Sequence, residues 1–507
     1  MPLAAAQDAD ACHTETSANS AQEMPSSSKA DQRQASAMSA TSESSSAASS
    51  DLVELRAGGM ADGHAAYELV RRAASEPSAE FWEMWASREL HWFHASLGAW
   101  LSQSADGGWT GWTMDGLPTI LGSWQPWEVA VDASEAPHVR WFCGAQTNAA
   151  FNEVDRHVLR GHGGEVAFVA ESPSGETTHV TRRWLLLHSV LIAHAVRDGL
   201  RVTAPQRIAL YRRRVRRRPL PKERGLLALP RRNTDGHRLP GSQPLAHLTM
   251  QVYAKHATRG GVDRGGQAAR RAVRCCGSRH RKFDLGRQAS PAPFDIHHAF
   301  HTAQGSDLVL CRLADTGASV LVTSRALLEV AAAAVAALPQ PPTLVLADSR
   351  ENGVLPAGCV EADALLRSAR DAVFDGAELE CLSDTQLLAA AWKHVPPTPV
   401  ESSWPLFVLY TSGSTGKPKG IVHTHGGYQV GLCATVKLVF DLLPESDLIC
   451  VVATAGWITG QSYMIAAPLL CRVPSVLLDG SPTSPPDRIA GVISRHRATV
   501  LKAGSTF

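Results

Sequence analysis

The sequence predicts an α/β fold with a mostly parallel sheet, and three observations lead to this class. Short apolar runs alternate with longer stretches of helical periodicity, which is typical of βαβ units. One apolar run is followed by a loop packed with Gly, Ser, Thr and Lys, as at phosphate sites of α/β proteins. The chain has 507 residues of which 44% are hydrophobic, so it can bury a sizeable core.

The composition excludes a disulfide scaffold and a membrane protein. Among ten cysteines only Cys275 and Cys276 are close together in the sequence, so we expect a reducing compartment and a cytoplasmic protein. No apolar run reaches the roughly 18 residues that a membrane-spanning helix needs. We therefore expect no membrane partner.

Residues 1–50 are predicted to be disordered. They are rich in Ser and Ala and hold almost no large apolar residues, so burial cannot offset the ordering entropy. A transit peptide, and hence organellar targeting, is the alternative. Six acidic residues against Lys29 and Arg33 argue against it, because transit peptides are rich in Arg and poor in acids.

Residues 51–211 are predicted to be the first folded part. The aromatic spacing of Ala79–Leu97 predicts an amphipathic helix or two short helices, with the rings packed against the main domain. The elements predicted next are a strand at Val166–Val169, a turn at Gly175, a helix over Arg183–Arg197 and a strand at Arg207–Tyr211.

Residues 212–302 interrupt this pattern with a basic segment. Residues 211–290 hold 21 of the 49 Lys and Arg residues but only 4 of the 48 Asp and Glu residues. A buried strand cannot continue into the arginines that follow Tyr211, because unpaired buried charge is very costly. We interpret residues 212–302 as a low-order insert that is a misread or intron-derived segment of the gene.

Nucleic-acid binding is the competing interpretation of this insert, since its cations would contact phosphates. Aromatic residues for base stacking are few, chiefly Tyr253 and Phe283, so we do not expect nucleic acid as a partner. Adjacent cysteines are poor zinc ligands and the sequence holds no CxxC pair, so no metal site is predicted.

Residues 303–507 contain the predicted functional site. The predicted elements are a helix over Asp307–Asp315, a strand at Ser319–Thr323, a helix over Ala326–Leu338, a strand at Thr343–Ala347, a strand at Leu406–Tyr410, a loop at Thr411–Gly420 and a helix through Tyr428–Leu442. The order of strand, Gly-rich loop and helix predicts a phosphate site, because such a loop turns its backbone N–H groups toward an anion.

The loop supplies three kinds of anion-binding group. They are the flexible Gly413 and Gly416, the hydroxyls of Thr411, Ser412, Ser414 and Thr415, and the ammonium groups of Lys417 and Lys419. The loop is not a Walker P-loop, since Thr411 stands at the first glycine position and Pro418 stands where a magnesium-binding Ser or Thr is needed.

The loop segment YTSGSTGKPKGIVHTHGGY (Tyr410–Tyr428) resembles the phosphate-loop signature of the adenylate-forming, AMP-binding enzymes. Within them it is most similar to acetyl-CoA synthetases and to the synthetase part of propionyl-CoA synthase. The segment AGWITGQSYMIAAPL (Ala455–Leu469) resembles a second block of that group. Weaker resemblances lie at Phe81–Ser87, Trp141–His157, Leu313–Thr323 and Leu478–Phe507.

The resemblance implies the large N-terminal domain of that family and an acid–thiol ligase that uses ATP, Mg²⁺ and CoA. It assigns the triphosphate to Thr411, Ser412, Gly413, Ser414, Thr415, Gly416 and Lys417, with Lys419 as the key catalytic cation. It assigns the acyl pocket to Trp457, Ile458 and Thr459, where a bulky Trp restricts the acid to acetate or propionate. It also places Arg183 near a CoA contact, with a surface arginine of no functional role as the equal alternative. His423 and His425 flank the phosphate loop, and packing against the nucleotide is favoured over metal ligation.

Two departures from the family pattern change the expectation. Ala453-Thr454-Ala455 stands where relatives carry an Asp before the Gly-Trp pair. The sequence ends at Phe507, before the family's ribose-binding Asp and its small C-terminal domain with a catalytic lysine. We therefore expect an incomplete domain and a short-chain acyl-CoA ligase of impaired activity. The alternatives are an inactive nucleotide-binding remnant and a basic nucleic-acid-binding protein acting through residues 212–302.

Overall fold

The computed structural model describes residues 79–136, 138–202, 207–211, 306–347, 355, 358–375, 379, 381–411 and 419–504. All of them belong to one compact unit, residues 66–507. The predicted disorder of residues 1–50, the predicted insert over residues 212–302 and the loop residues 412–418 lie outside the described residues.

The aromatic-rich beginning forms one helix and an antiparallel sheet of four strands, β1-β2-β3-β4. The elements are α1 (Ala79–Glu89), β1 (Trp92–His94), β2 (Ala99–Gln103), β3 (Trp109–Thr113), β4 (Pro118–Leu121), β5 (Val129–Asp132), β6 (Arg140–Cys143) and β7 (Gln146–Thr147). The predicted helix is confirmed only as far as Glu89. Beyond it the prediction is wrong, because Trp92 pairs with Leu101 across the sheet and is fully buried as a strand residue.

The next part alternates strands and helices as predicted. Its elements are a π-helix (Phe151–Asp155), α2 (Arg156–Leu159), β8 (Val166–Glu171), β9 (Thr177–Thr181), α3 (Arg182–His194) and a second π-helix (Ala195–Gly199). The Thr181 hydroxyl oxygen accepts a hydrogen bond from the Trp184 N–H at 3.2 Å, which caps α3.

A parallel sheet of four strands, β10-β11-β12-β13, follows. Its elements are β10 (Ile208–Tyr211), α4 (Ser306–Thr316), β11 (Val320–Thr323), a 3₁₀ turn (Arg325–Leu327), α5 (Leu328–Ala336), β12 (Thr343–Leu346), β13 (Cys359–Glu361), α6 (Ala362–Phe374) and α7 (Asp384–His394). Leu321 and Leu344 pack in one core with Leu313 and Leu328 of the helices. Because β10 pairs directly with β11, the two segments that flank residues 212–302 share one sheet.

The last part contributes a hairpin and three strands of a five-stranded sheet. Its elements are β14 (Val400–Glu401), β15 (Pro405–Thr411), β16 (Lys419–Thr424), α8 (His425–Leu438), β17 (Ile449–Val451), a π-helix (Gly460–Ala466), α9 (Ala467–Cys471), β18 (Ser475–Leu478), α10 (Arg488–His496) and β19 (Val500–Lys502). The strand order is β19-β17-β18-β8-β9, and all pairs except β8–β9 are parallel.

The architecture is therefore mixed α/β, as expected, with two parallel arrays. The antiparallel pairs β5–β6, β7–β14 and β15–β16, together with the β1–β4 sheet, were not predicted from the sequence. Within the described ranges, none of the helices combines the length and apolar character that crossing a bilayer requires.

Candidate functional site

Strands β15 and β16 form an antiparallel hairpin, which we call the loop hairpin (residues 405–424, including the loop 412–418). Thr411 and Lys419 are paired across its mouth, and the Thr411 hydroxyl donates to the Lys419 carbonyl at 3.5 Å. Both residues at the mouth are exposed. The six other predicted loop residues, Ser412, Gly413, Ser414, Thr415, Gly416 and Lys417, lie between these two positions and outside the described residues.

The predicted strand and helix on either side of the loop are confirmed, but the helix does not follow the loop directly. A second strand follows the loop, and α8 begins only at His425. The apolar Ile421 and Val422 pair with Leu409 and Val408 across the two strands. The backbone N–H and C=O groups are thus hydrogen bonded between strands and not within a helix. The segment directly after the loop is thus a strand, so no helix dipole begins at Lys419.

The inner face of the loop hairpin is fixed by a cluster of rings. Phe407 and His423 are a cross-strand pair with stacked rings 4.7 Å apart, and Tyr428 of α8 meets Phe407 edge-on at 5.0 Å. The Tyr428 and Ser462 hydroxyls are hydrogen bonded at 3.0 Å. Since Ser462 belongs to the segment Ala455–Leu469, the two sequence blocks with the most specific resemblance are in direct contact.

Burial keeps this cluster uncharged. Desolvation raises the pKa of the Tyr428 hydroxyl and lowers the pKa of the His423 imidazole. His425 is buried, and its Nδ1 accepts a hydrogen bond from the Ala149 N–H at 3.2 Å. His423 thus contacts Phe407 and Tyr428, and His425 contacts Ala149, while packing of these histidines against a nucleotide stays a prediction.

The outer side of the hairpin contacts helix α4. The Tyr410 hydroxyl donates to the Asp315 carboxylate, and the Arg312 guanidinium lies 5.6 Å from the centre of the Tyr410 ring. Burial lowers the pKa of Arg312 from its usual value. The residue directly before Thr411 is therefore held by a helix of the β10–β13 layer.

The second block begins where β17 ends. Gly460 cannot be replaced by another residue unless the backbone shifts, because a Cβ atom would lie 2.1 Å from the Thr454 carbonyl oxygen. The Trp457 side chain is 60% exposed, so it is not part of the buried core. Ile458 and Thr459 are half-buried beside it. These three residues stay a prediction for the acyl pocket.

Arg183 is occupied elsewhere. Its guanidinium forms an ion pair with Asp384 at 2.7 Å and donates to the Leu379 carbonyl at 2.8 Å. Asp384 also accepts a hydrogen bond from the Gly163 N–H at 3.1 Å. The geometry favours a role for Arg183 in holding the start of α7 over a contact with CoA.

A polar segment that the sequence offered only as a resemblance is a structural hub. We call residues 148–157 the buried polar segment. The Arg156 guanidinium donates to the Glu89 carbonyl at 2.5 Å and the Leu470 carbonyl at 2.6 Å, and His157 Nε2 donates to the Leu469 carbonyl at 2.9 Å. The segment thereby joins α1 to α9, the helix that continues the second block.

Asp155 completes this hub from the other side. The Trp392 indole N–H of α7 donates to Asp155 Oδ1 at 2.7 Å. Burial raises the pKa of Asp155 to about 7 and lowers the pKa of His157 well below its usual value. The pattern of apolar and polar residues did not predict that this segment is buried, because the same residue types also occur in exposed motifs.

Metal binding by side chains alone finds no support in the part of the chain that the structure describes. It contains no group of three or more His, Cys, Asp or Glu side chains arranged to hold an ion.

Residues 297–507 match the family model described as AMP-binding enzyme. This part of the chain is similar to AMP-binding enzyme domains. The matched residues include the whole loop hairpin and the whole second block, which the structure brings together.

Curated relatives agree with this similarity. The chain is 30% identical over 395 residues to acetyl-coenzyme A synthetase of Mycobacterium bovis, which covers 76% of this chain and 47% of the relative. It is 28% identical over 395 residues to 3-hydroxypropionyl-coenzyme A synthetase of Sulfurisphaera tokodaii, with the same shares of 76% and 47%. It is 28% identical over 390 residues to acetyl-coenzyme A synthetase of Deinococcus radiodurans, covering 75% and 47%. The chain spans about half the length of these relatives.

Proposed function

We propose that the chain is an ATP-dependent acyl-CoA ligase for a short carboxylic acid, with the nucleotide phosphates bound in the loop hairpin. In the first half-reaction a carboxylate oxygen attacks the α-phosphorus of ATP, and the bond to pyrophosphate breaks. In the second, the CoA thiol sulfur attacks the acyl carbon of the adenylate, and AMP leaves as the thiol proton is lost. Acetate and propionate are the acids we propose.

The observation that carries the proposal is the contact of Tyr428 of α8 with both Phe407 of the loop hairpin and Ser462 of the second block. The hydrogen bond between the Tyr428 and Ser462 hydroxyls joins the helix that follows the loop hairpin to the segment that bears Trp457, Ile458 and Thr459. A ligase needs its nucleotide and its acid side by side, because attack requires near-contact of the reacting atoms.

The residues at the hairpin mouth fit a polyphosphate. Lys419 offers an exposed ammonium group and Thr411 an exposed hydroxyl, at paired positions on the two strands. A charged donor toward a phosphate oxygen stabilises binding more than a neutral one does. Mg²⁺ would enter with ATP and offset charge on the phosphate oxygens. The acid would lie against the half-buried Ile458 and Thr459, with Trp457 limiting its length.

The test is nucleotide affinity of the full chain, measured by titration with a fluorescent ATP analogue in the presence of Mg²⁺. Lys419→Met is expected to weaken binding about tenfold or more, since one charge-assisted contact contributes about 1.5–3 kcal/mol. Lys393→Met, which removes an exposed lysine of α7, is the matched control and should bind as the wild type does. Equal affinity of Lys419→Met and wild type would contradict the proposal.

Pyrophosphate release separates a ligase from an inactive nucleotide-binding remnant. Release that depends on acetate or propionate supports the ligase, whereas ATP binding without any release supports the remnant. Nothing in the described residues favours the nucleic-acid-binding alternative, whose residues 212–302 lie outside them.

A further inference from the structure

Lys502 lies at the edge of the sheet from which the second block emerges. It is the last residue of β19, and its carbonyl oxygen accepts a hydrogen bond from the Val452 N–H at 2.8 Å, just past the end of β17. The two strands are parallel, so their carboxyl ends meet at the same edge. Ligands of open α/β sheets bind at the carboxyl ends of the strands.

The Lys502 ammonium group is framed by two aromatic rings. It lies 4.9 Å from the centre of the Tyr463 ring and 5.6 Å from the centre of the Phe440 ring. The two rings meet edge-on at 5.3 Å. Such ring faces attract a cation and hold the side chain in place.

The frame provides no anion. No carboxylate among the described residues forms an ion pair with Lys502, whereas Lys437, three residues before Phe440, forms an ion pair with Glu89 at 2.7 Å. Lys502 is also only half-exposed, so part of its hydration is replaced by rings that accept no strong hydrogen bond. A partly desolvated ammonium group without a counter-charge is an attractive position for an anionic ligand.

Contacts connect Lys502 to both parts of the candidate site. Tyr463 belongs to the π-helix that begins directly after Thr459. Its neighbour Ser462 is hydrogen bonded to Tyr428, which packs on Phe407 of the loop hairpin. An anion at Lys502 would therefore lie beside Tyr463, in the helix that directly follows the predicted acyl-pocket residue Thr459.

We propose that Lys502, framed by Phe440 and Tyr463, binds a carboxylate of the acid substrate. This inference rests on the proposed ligase function and names the residue that attracts the acid. The shared chemistry is a carboxylate on a short acid. It can be the reacting carboxylate of a monocarboxylic acid or the second carboxylate of a dicarboxylic acid, and the arms of the experiment distinguish these two sources.

The experiment measures acid affinity of the full chain by ligand-observed NMR, with acetate, propionate, malonate and succinate as separate probes. Lys502→Met keeps the aliphatic stem and removes the charge, and it should weaken binding about tenfold. Lys502→Arg keeps the charge and should bind within about threefold of the wild type. Lys393→Met is the control for loss of an exposed lysine.

The pattern of losses identifies the source of the carboxylate. Weakened binding of all four acids assigns Lys502 to the reacting carboxylate, and weakened binding of malonate and succinate alone assigns it to a second carboxylate. The proposal is overturned if a folded Lys502→Met variant, checked by circular dichroism and urea midpoint, binds every acid as the wild type does. It is also overturned if the wild type binds none of them.

Nucleotide affinity, measured in parallel, keeps the two proposals separate. Lys502→Met should leave affinity for the ATP analogue unchanged. If the wild type binds no ATP but still binds the acid through Lys502, the proposed ligase function is contradicted and the proposed carboxylate site is supported.

Discussion

The loop hairpin and the buried polar segment are both rich in polar residues, yet they use these residues in opposite ways. Asn152 and Asp155 are fully buried, and the side chains of this segment bond to other parts of the chain. Thr411 and Lys419 face solvent at the mouth of a hairpin whose base is held by rings. A polar motif in a sequence therefore marks either an internal scaffold or a ligand site, and burial distinguishes the two.

The largest effect on stability is expected from the buried polar segment. Arg156→Met would leave the Glu89 and Leu470 carbonyls without their donor, and each buried unsatisfied group is costly. We expect a loss of about 3 kcal/mol or more in the free energy of unfolding, measured by urea denaturation. Arg367→Met on the exposed face of α6 is the control and should change the free energy by less than about 0.5 kcal/mol. A loss as small as the control's would show that the segment is no scaffold.

The second effect depends on pH and also belongs to the buried polar segment. Burial raises the folded-state pKa of Asp155 to about 7 from an ordinary value of 3.8. The folded protein then keeps a proton that the unfolded chain releases, so this group costs stability as pH rises from about 4 to about 7. Asp155→Asn cannot ionise and retains an acceptor for the Trp392 indole.

The measurement is the free energy of unfolding of wild type and Asp155→Asn across that pH range. As pH rises, the free energy of unfolding of the variant should increase relative to that of the wild type, by about 2–4 kcal/mol in total. If the free energies of unfolding of the two proteins change in parallel with pH, the Asp155 carboxyl is not protonated in the folded protein.

A smaller effect is expected at the base of the loop hairpin. Tyr428→Phe keeps the ring on Phe407 and removes only the hydrogen bond to Ser462. We expect a loss of about 0.5–1.5 kcal/mol in the free energy of unfolding and weaker ATP-analogue binding. Tyr410→Phe on the outer side, where the hydroxyl meets Asp315, is a comparison variant for the same chemical change. Unchanged stability and affinity in Tyr428→Phe would remove the proposed coupling between hairpin and second block.

The sequence predicted the parallel elements well because their signals are local. Val166–Val169, Arg207–Tyr211 and Thr343–Ala347 are short apolar runs, and each overlaps an observed strand. The β1–β4 sheet was missed because its tryptophans also fit helical spacing, and only pairing with distant strands decides between the two. Strand β16 was missed for a similar reason, since Ile421–His423 becomes a strand through its partners in β15.

The candidate site was predictable in its parts but not in its assembly. The Gly, Ser, Thr and Lys pattern and the Trp457 segment stood out in the sequence, and their resemblance to one enzyme family agrees with the family match. The contact through Tyr428 and Ser462, the hub at Arg156 and the ring frame of Lys502 depend on residues far apart in the chain. Periodicity carries no information about such contacts.

Amide hydrogen exchange with and without the ATP analogue and Mg²⁺ tests the central claim most directly. The claim is that the loop hairpin binds the nucleotide while the buried polar segment serves only as scaffold. We predict slower exchange on nucleotide addition in peptides spanning residues 406–424 and unchanged, already slow exchange in peptides spanning residues 148–157. Unchanged exchange in the hairpin peptides at saturating nucleotide, or protection confined to other segments, would contradict the account.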